Sequence, residues 1–277
     1  MPEGHTIHRL ARDLNTTLRG EPVAASSPQG RFSDGAERLG GHQLVSAEAW
    51  GKYLFCDFGT DEVLHVHLGL IGKFRRRRAP VPDPVGAVRL RLQVEANAWD
   101  LSGPTRCELI DPGEQDRIVA RLGADPLRSD ADVGSARAKF ASTKRAVGAL
   151  LLEQSVIAGI GNVYRAELLF LCGIHPARPA NTLTDDEFDQ LWSETVRLLR
   201  IGVKLGRIVT TDPVEVGVPR SRMTAQDRLY VYHREMCRLC GTPIATIDLG
   251  GRPIWFCPHH QPAPRARRRA STTRRRR

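Results

Sequence analysis

Near the C-terminal end of the 277-residue chain stand Cys237-Arg-Leu-Cys240 and Cys257-Pro-His-His260, two ligand-bearing pairs separated by sixteen residues. Thiolate and imidazole are the donors that tetrahedral Zn²⁺ takes in closed structural sites. Gly250-Gly251, between the pairs, marks a tight β-hairpin turn. A hairpin of this size cannot bury a core of its own, so metal binding would supply the folding energy that packing cannot. One structural zinc per chain, held by Cys237, Cys240, Cys257 and His260, is therefore expected. His259 is also available as the fourth ligand, but repeating the Cys237 to Cys240 spacing from Cys257 selects His260. Cys56, Cys107 and Cys172 are scattered in apolar contexts and read as small buried hydrophobes.

Two further runs carry charge rather than ligands. The last thirteen residues, Arg265 to Arg277, hold eight arginines and no acid, so a formal net charge of +10 falls to +2 without them (10 − 8). Such an arm is expected to be disordered and to favour polyanions without sequence preference. Arg75 to Arg78 form a second run, read as a solvated hairpin. Glu3, His5, Arg9 and Asp13 interrupt any apolar secretory segment, and no stretch is apolar enough to span a bilayer. A cytoplasmic protein, nucleoid-associated if bacterial, with no membrane role is expected.

The elements that must position these groups can be read from periodicity. Ile7, Leu10, Ala11, Leu14 and Leu18 share one face of a helix over residues 3 to 18. From about Leu44 to Ile110 the pattern is that of strands, including Tyr53 to Phe58, Val63 to Leu68 and Val88 to Val94, and predicts a sandwich or barrel. The Pro-rich stretch from Ala79 to Pro84 reads as a long hairpin loop. Helices follow from about Asp116 to Gly206, broken by the turn from Val156 to Gly161, after which Asn162 opens another helix. A capping box, Thr184-Asp-Asp-Glu187, starts a further one. Residues 207 to 229 show no clear period and read as a mobile segment.

The opening Met1-Pro-Glu-Gly-His, Gly51-Lys52-Tyr-Leu, His67-Leu-Gly-Leu70, the segment from Ala158 to Glu167 and the closing Cys/His pairs occur in an order spanning nearly the whole chain. In that order they resemble the formamidopyrimidine-DNA glycosylase and endonuclease VIII family, closer to endonuclease VIII. The resemblance implies an α+β fold: an N-terminal β-sandwich with an N-terminal helix, a helix-two-turn-helix module and a zinc-ribbon hairpin. Expected boundaries are 1–120 for the catalytic sandwich, 121–229 for the helical DNA-binding module, 230–264 for the ribbon and 265–277 for the Arg-rich tail.

The implied activity is that of a monomeric bifunctional DNA glycosylase and abasic-site lyase. It would excise oxidised bases, pyrimidines in particular, from damaged double-stranded DNA, with β,δ-elimination and no cofactor besides structural zinc. Pro2 would be the nucleophile once Met1 is removed, since an α-amine titrates near 8 and is partly free base at neutral pH. Glu3 would be the general acid/base, though it also suits a helix N-terminus. Lys52 would contact phosphate or assist proton transfer. Leu70 would wedge into the duplex where the nucleotide leaves, Asn162 would contact phosphate, Glu167 would lie near the everted nucleotide, and Arg252 would clamp its phosphates. Taken alone, Glu167 would be an exposed helix residue and Asn162 a helix cap. Thr6 stands where many relatives carry a second glutamate, and the loop from Asp111 to Asp116 lacks an arginine-phenylalanine pair found in the guanine-specific branch. The same chemistry on oxidised purines, or a non-catalytic damaged-DNA-binding protein of this fold, are the alternatives.

Overall fold

The computed structural model describes residues 2–263; the tail from Arg265 to Arg277 lies outside them. The chain runs through α1 (Gly4–Leu18), β1 (Ala24–Ser26), α2 (Ser33–Leu39), β2 (Ser46–Trp50), β3 (Tyr53–Asp57), β4 (Val63–His67), β5 (Lys73–Arg78), β6 (Val88–Val94), β7 (Asn97–Ser102) and β8 (Arg106–Ile110). It continues through α3 (Pro112–Val119), α4 (Val133–Ala141), α5 (Val147–Leu150), α6 (Asn162–Leu171), α7 (Asp185–Leu205) and α8 (Pro213–Val216), and closes with β9 (Ala245–Leu249) and β10 (Arg252–Phe256).

The first eight strands form two antiparallel four-stranded sheets, ordered β1-β6-β7-β5 and β2-β3-β4-β8. Alternation along the strands turns Leu54 and Cys56 of one sheet and Leu90, Leu92, Trp99 and Leu101 of the other into a single core. The apolar face of α1, with Ile7, Leu14 and Leu18, packs into the same core. The Pro-rich stretch is not the loop of a simple hairpin, because β7 inserts between β5 and β6 and pairs with both. Arg75–Arg78 are largely solvated, as expected, but they lie on a strand at the end of the β1-β6-β7-β5 order and pair with β7 instead of forming a hairpin with β6.

A second core lies among the helices. Leu150, Tyr164, Leu169, Phe188 and Leu199 pack with Ile254, Cys237 and Cys257 of the C-terminal hairpin. The hairpin thus buries its apolar side against α6 instead of enclosing a core of its own. The capping box at Thr184 and Glu187 starts α7, and Gly206 ends it in the left-handed conformation at φ 69°. The segment from Asp111, expected as a loop, is instead a helix start: Asp111 accepts the Glu114 amide and Pro112 occupies the first turn of α3. Among the described residues no helix is long and apolar enough to cross a membrane.

Candidate active site

The chain before α1 is drawn inward by three backbone contacts. Gly4 N–H donates to Gly159 O at 2.8 Å, and the carboxylate of Glu3 accepts Gly161 N–H at 2.7 Å and Val163 N–H at 3.0 Å. These last two donors belong to the first turn of α6, whose free amides and dipole favour an anion. Glu3 is thus the N-cap residue of α1, and its carboxylate also serves the N-terminus of α6. Its own amide is taken by the Thr6 hydroxyl at 3.4 Å. Two glycines of the turn are required by this closeness. A Cβ at Gly161 would stand 2.4 Å from the Glu3 carboxyl carbon, and Gly159, at φ 95°, lets its backbone approach both Gly4 and Gly51. Glu3 is fully buried, and burial raises its carboxyl above the ordinary range despite opposition from the Lys52 charge and the α6 amides.

Lys52 follows Gly51 in the turn between β2 and β3. Asp125, which sequence reasoning passes over, fixes that turn. Its carboxylate accepts Gly51 N–H at 2.7 Å, Leu127 N–H at 2.9 Å and a bond from His8 Nε2 at 2.8 Å. One buried acid thus ties α1, the Lys52 turn and the start of the helical module together. Burial lowers the Lys52 pKa, Glu3 resists that shift and Arg252 adds to it. Burial of the acid and of the base moves both toward their neutral forms.

Arg252 enters from the hairpin, directly after Gly250-Gly251, both at positive φ. The hairpin is held by a second residue that sequence reasoning misses, the buried Arg165 of α6. Its guanidinium donates to Gly148 O, Leu249 O, Arg252 O, Pro253 O and the Asn162 side chain. Asn162 Nδ2 donates to Pro253 O at 3.0 Å, so its amide is committed to the hairpin, and Gly161 rather than Asn162 caps α6. Glu167 is not the exposed helix residue that its type suggests. It is fully buried and accepts the Thr210 hydroxyl and the amides of Tyr230, Val231 and Tyr232, which anchors both ends of the aperiodic segment.

Two cavities meet at Pro2. One, of about 430 Å³, is lined by Pro2, Lys52, His67, Leu70 and Arg252 among others. The other, of about 810 Å³, has Pro2, Thr6, Leu70 and Val163 in its wall and the cations Lys73, Arg75, Arg207 and Arg228 around it. Between β4 and β5, Leu70 is 59% exposed and Ile71 77% exposed. Ile71 is thus a second apolar residue at this tip, beyond the Leu70 that the sequence motif singles out. The structure gathers Pro2, Lys52, Leu70 and Arg252 around one space, backs them with Glu3, and places Asn162 and Glu167 behind that wall.

At the far end of the hairpin, ligand atoms of Cys237, Cys240, Cys257 and His260 lie within 4.8 Å of one another. Cys240 Sγ and Cys257 Sγ are 3.6 Å apart, close to the ~3.8 Å expected of two thiolates on one tetrahedral ion. His260 Nε2 is buried without a hydrogen-bond partner among the described residues. Three sulfurs and an otherwise orphaned nitrogen fit a metal ion.

Residues 1–107 match the formamidopyrimidine-DNA glycosylase N-terminal domain, and residues 122–213 match the H2TH domain of the same enzymes. The chain belongs to the formamidopyrimidine-DNA glycosylase family. Endonuclease 8 1 of Mycobacterium tuberculosis is 48% identical, covering 93% of this chain and 98% of the relative. Formamidopyrimidine-DNA glycosylase of Gluconobacter oxydans is 34% identical over 93% of this chain and 98% of its own. Among solved structures, the Lactococcus lactis enzyme in complex with DNA containing an oxidised pyrimidine superposes with a TM-score of 0.76 at 26% identity, over 95% of this chain and all of that one.

Proposed function

We propose that this protein is a bifunctional DNA glycosylase and abasic-site lyase that removes oxidised bases from duplex DNA, with Pro2 as its nucleophile. The observation that carries the reading is that Pro2, partly desolvated Lys52 and Arg252 line one cavity, with the buried Glu3 next to Pro2 in the chain and electrostatically coupled to Lys52. A damaged base must leave the stack to be reached, and Leu70 with Ile71 at the β4–β5 tip offers an apolar wedge for the space it vacates. Arg252 suits the phosphates of the everted nucleotide. Asn162 and Glu167 contribute by holding the hairpin and the 207–232 segment in place, a supporting role in place of the direct contacts implied by the resemblance.

With Met1 removed, the Pro2 nitrogen attacks sugar C1′. The C–N bond forms as the glycosidic bond breaks, and the departing base leaves with a proton supplied at Glu3. The C1′–O4′ bond then breaks as O4′ takes a proton, which opens the sugar and leaves a C1′ iminium that acidifies C2′–H. Loss of that proton expels the 3′ phosphate, and a second elimination expels the 5′ phosphate, which leaves phosphate on both flanking ends. Zinc at Cys237, Cys240, Cys257 and His260, when bound, supplies folding energy to the hairpin.

We favour oxidised pyrimidines as substrates because the segment from Asp111 to Asp116, the start of α3, lacks the arginine-phenylalanine pair of the guanine-specific branch. The test is borohydride trapping on DNA with one oxidised pyrimidine or one oxidised purine per duplex. The covalent adduct should map to the Pro2 peptide, and Pro2→Gly should lose most cleavage. Lys52→Ala should slow turnover yet leave the adduct at Pro2. An adduct on Lys52, or full cleavage with Met1 retained, would overturn the mechanism.

A further inference from the structure

The arginine run that the site leaves unused begins where the wedge ends. In the order β1-β6-β7-β5, strand β5 has a single hydrogen-bonded neighbour among the described residues, and its other side is a free edge. Alternation buries Phe74 and sends Lys73, Arg75 and Arg77 to the opposite face. Asp100, buried on β7, accepts two bonds from Arg91 at 2.7 and 3.0 Å and one from Arg77 at 3.2 Å. Arg75, directly across the ladder from Asp100, and Lys73, across from Ser102, form no ion pair among the described residues.

These cations also wall a cavity of about 310 Å³, together with Ile71, Asp100 and Ser102. Ile71, Lys73 and Arg75 line the Pro2-containing 810 Å³ cavity as well. The start of β5 is therefore a partition, with the nucleophile on one side and a basic hollow on the other. Edge strands often carry Lys or Arg simply to discourage pairing with another sheet. That role accounts for the charge but requires no hollow and no continuity with the wedge.

We infer that the outer face of β5, from Lys73 to Arg77, is a docking surface for the sugar-phosphate backbone of duplex DNA on the side of Leu70 and Ile71 turned away from Pro2. The inference rests on the proposed function. Lys73 and Arg75, about 6.6 Å apart along the strand, engage separate phosphates, while Arg77 already shares Asp100.

The test uses the full chain and duplexes carrying one stable abasic-site analogue. For Lys73→Gln/Arg75→Gln, the slope of log affinity against log salt should become shallower by about 1.8, at about 0.9 for each phosphate no longer engaged. Shortening one arm of the duplex should weaken binding by the parent protein, and the double variant should be indifferent to that arm. Both residues are exposed, and an unchanged thermal midpoint checks the fold. If the parent prefers the abasic analogue over undamaged DNA while the variant keeps the parental slope and arm dependence, this surface does not bind DNA and the proposed function stands. If the parent shows no such preference, the function itself is wrong. A parent that sediments as a dimer, made monomeric by the double variant, assigns the edge to a second copy and overturns the inference.

Discussion

Glu3 sits between two demands. Gly161 and Val163 each donate to one of its oxygens, which favours the anion, while full burial favours the acid and prevails. Glu3→Gln keeps one acceptor oxygen and sets an NH₂ against the other amide, a loss of about 1–3 kcal/mol for a buried donor left unpaired. Base excision should fall by about 10²–10⁴-fold, the worth of a general acid. Cleavage at a preformed abasic site, where no base needs a proton, should fall less. Because the acid form is the active one, excision should decline as pH rises through the elevated Glu3 value. Single-turnover assays on both substrates decide this, and an equal loss on both would remove Glu3 from base protonation. Lys52 is set by a different logic, since Asp125 holds the backbone of its turn through Gly51 N–H while the charges of Glu3 and Arg252 act on its side chain.

At the scale of elements, the C-terminal hairpin is the most consequential. β9 and β10 pair from Ala245–Phe256 outward to Leu249–Arg252, and Arg165 fastens their turn by its carbonyls. The metal-ligand cluster closes the opposite end. Purified protein should contain one zinc per chain; His260→Ala should lose it and His259→Ala should keep it, read by metal analysis. Since Cys237 and Cys257 share the core that contains Tyr164 and Leu169, metal loss should also lower the thermal midpoint of the helical module. Retention of zinc by His260→Ala would reassign the fourth ligand.

Much of this hairpin is legible in the sequence, because ligand spacing and a Gly-Gly turn are local signals, and so are α1 and the capped start of α7. Other features are not. The place of β5 beside β7 depends on strand order, which a period of two does not encode. Burial of Glu167 depends on amides 63 to 65 residues away, so a glutamate on a helix gives no sign of it. Asp125 and Arg165 are hidden for the same reason. The start of α3 is different: Asp111 before Pro112 is a local helix signal, and reading that stretch as a loop overlooks it.

Taken as a whole, the molecule joins two cores through α1, which packs on the sandwich and also reaches α7 by way of Arg9, whose guanidinium caps the carbonyls of Val203 and Lys204. His5 lies in this junction, edge-on to Tyr164, and burial, with the charge of Arg9 nearby, pushes its imidazole down from 6.5 to about 3. The folded ring stays neutral where the unfolded chain takes up a proton. This contribution to stability is therefore complete above pH 6.5 and is lost as pH falls toward 3, by about 1.4 kcal/mol per pH unit. His5→Gln removes the titration, so the stability gap between parent and variant, measured by denaturant unfolding, should narrow from pH 7 to pH 4. A constant gap would show that His5 is not the group being protonated.

The bonds from Glu3 to Gly161 and Val163 span 158 and 160 residues of chain. Synthesis at about 5–20 residues per second separates those partners by on the order of ten to thirty seconds. Throughout that interval Glu3 has no α6 to dock on, and the removal of Met1 that the proposed mechanism requires would precede the closed pocket. Once α6 emerges, Glu3 is drawn inside and the adjoining amine becomes part of a cavity wall. In the mechanism proposed for Pro2, exposure of its amine and closure of its pocket would thus be ordered in time, with the pace of the ribosome setting the gap between them.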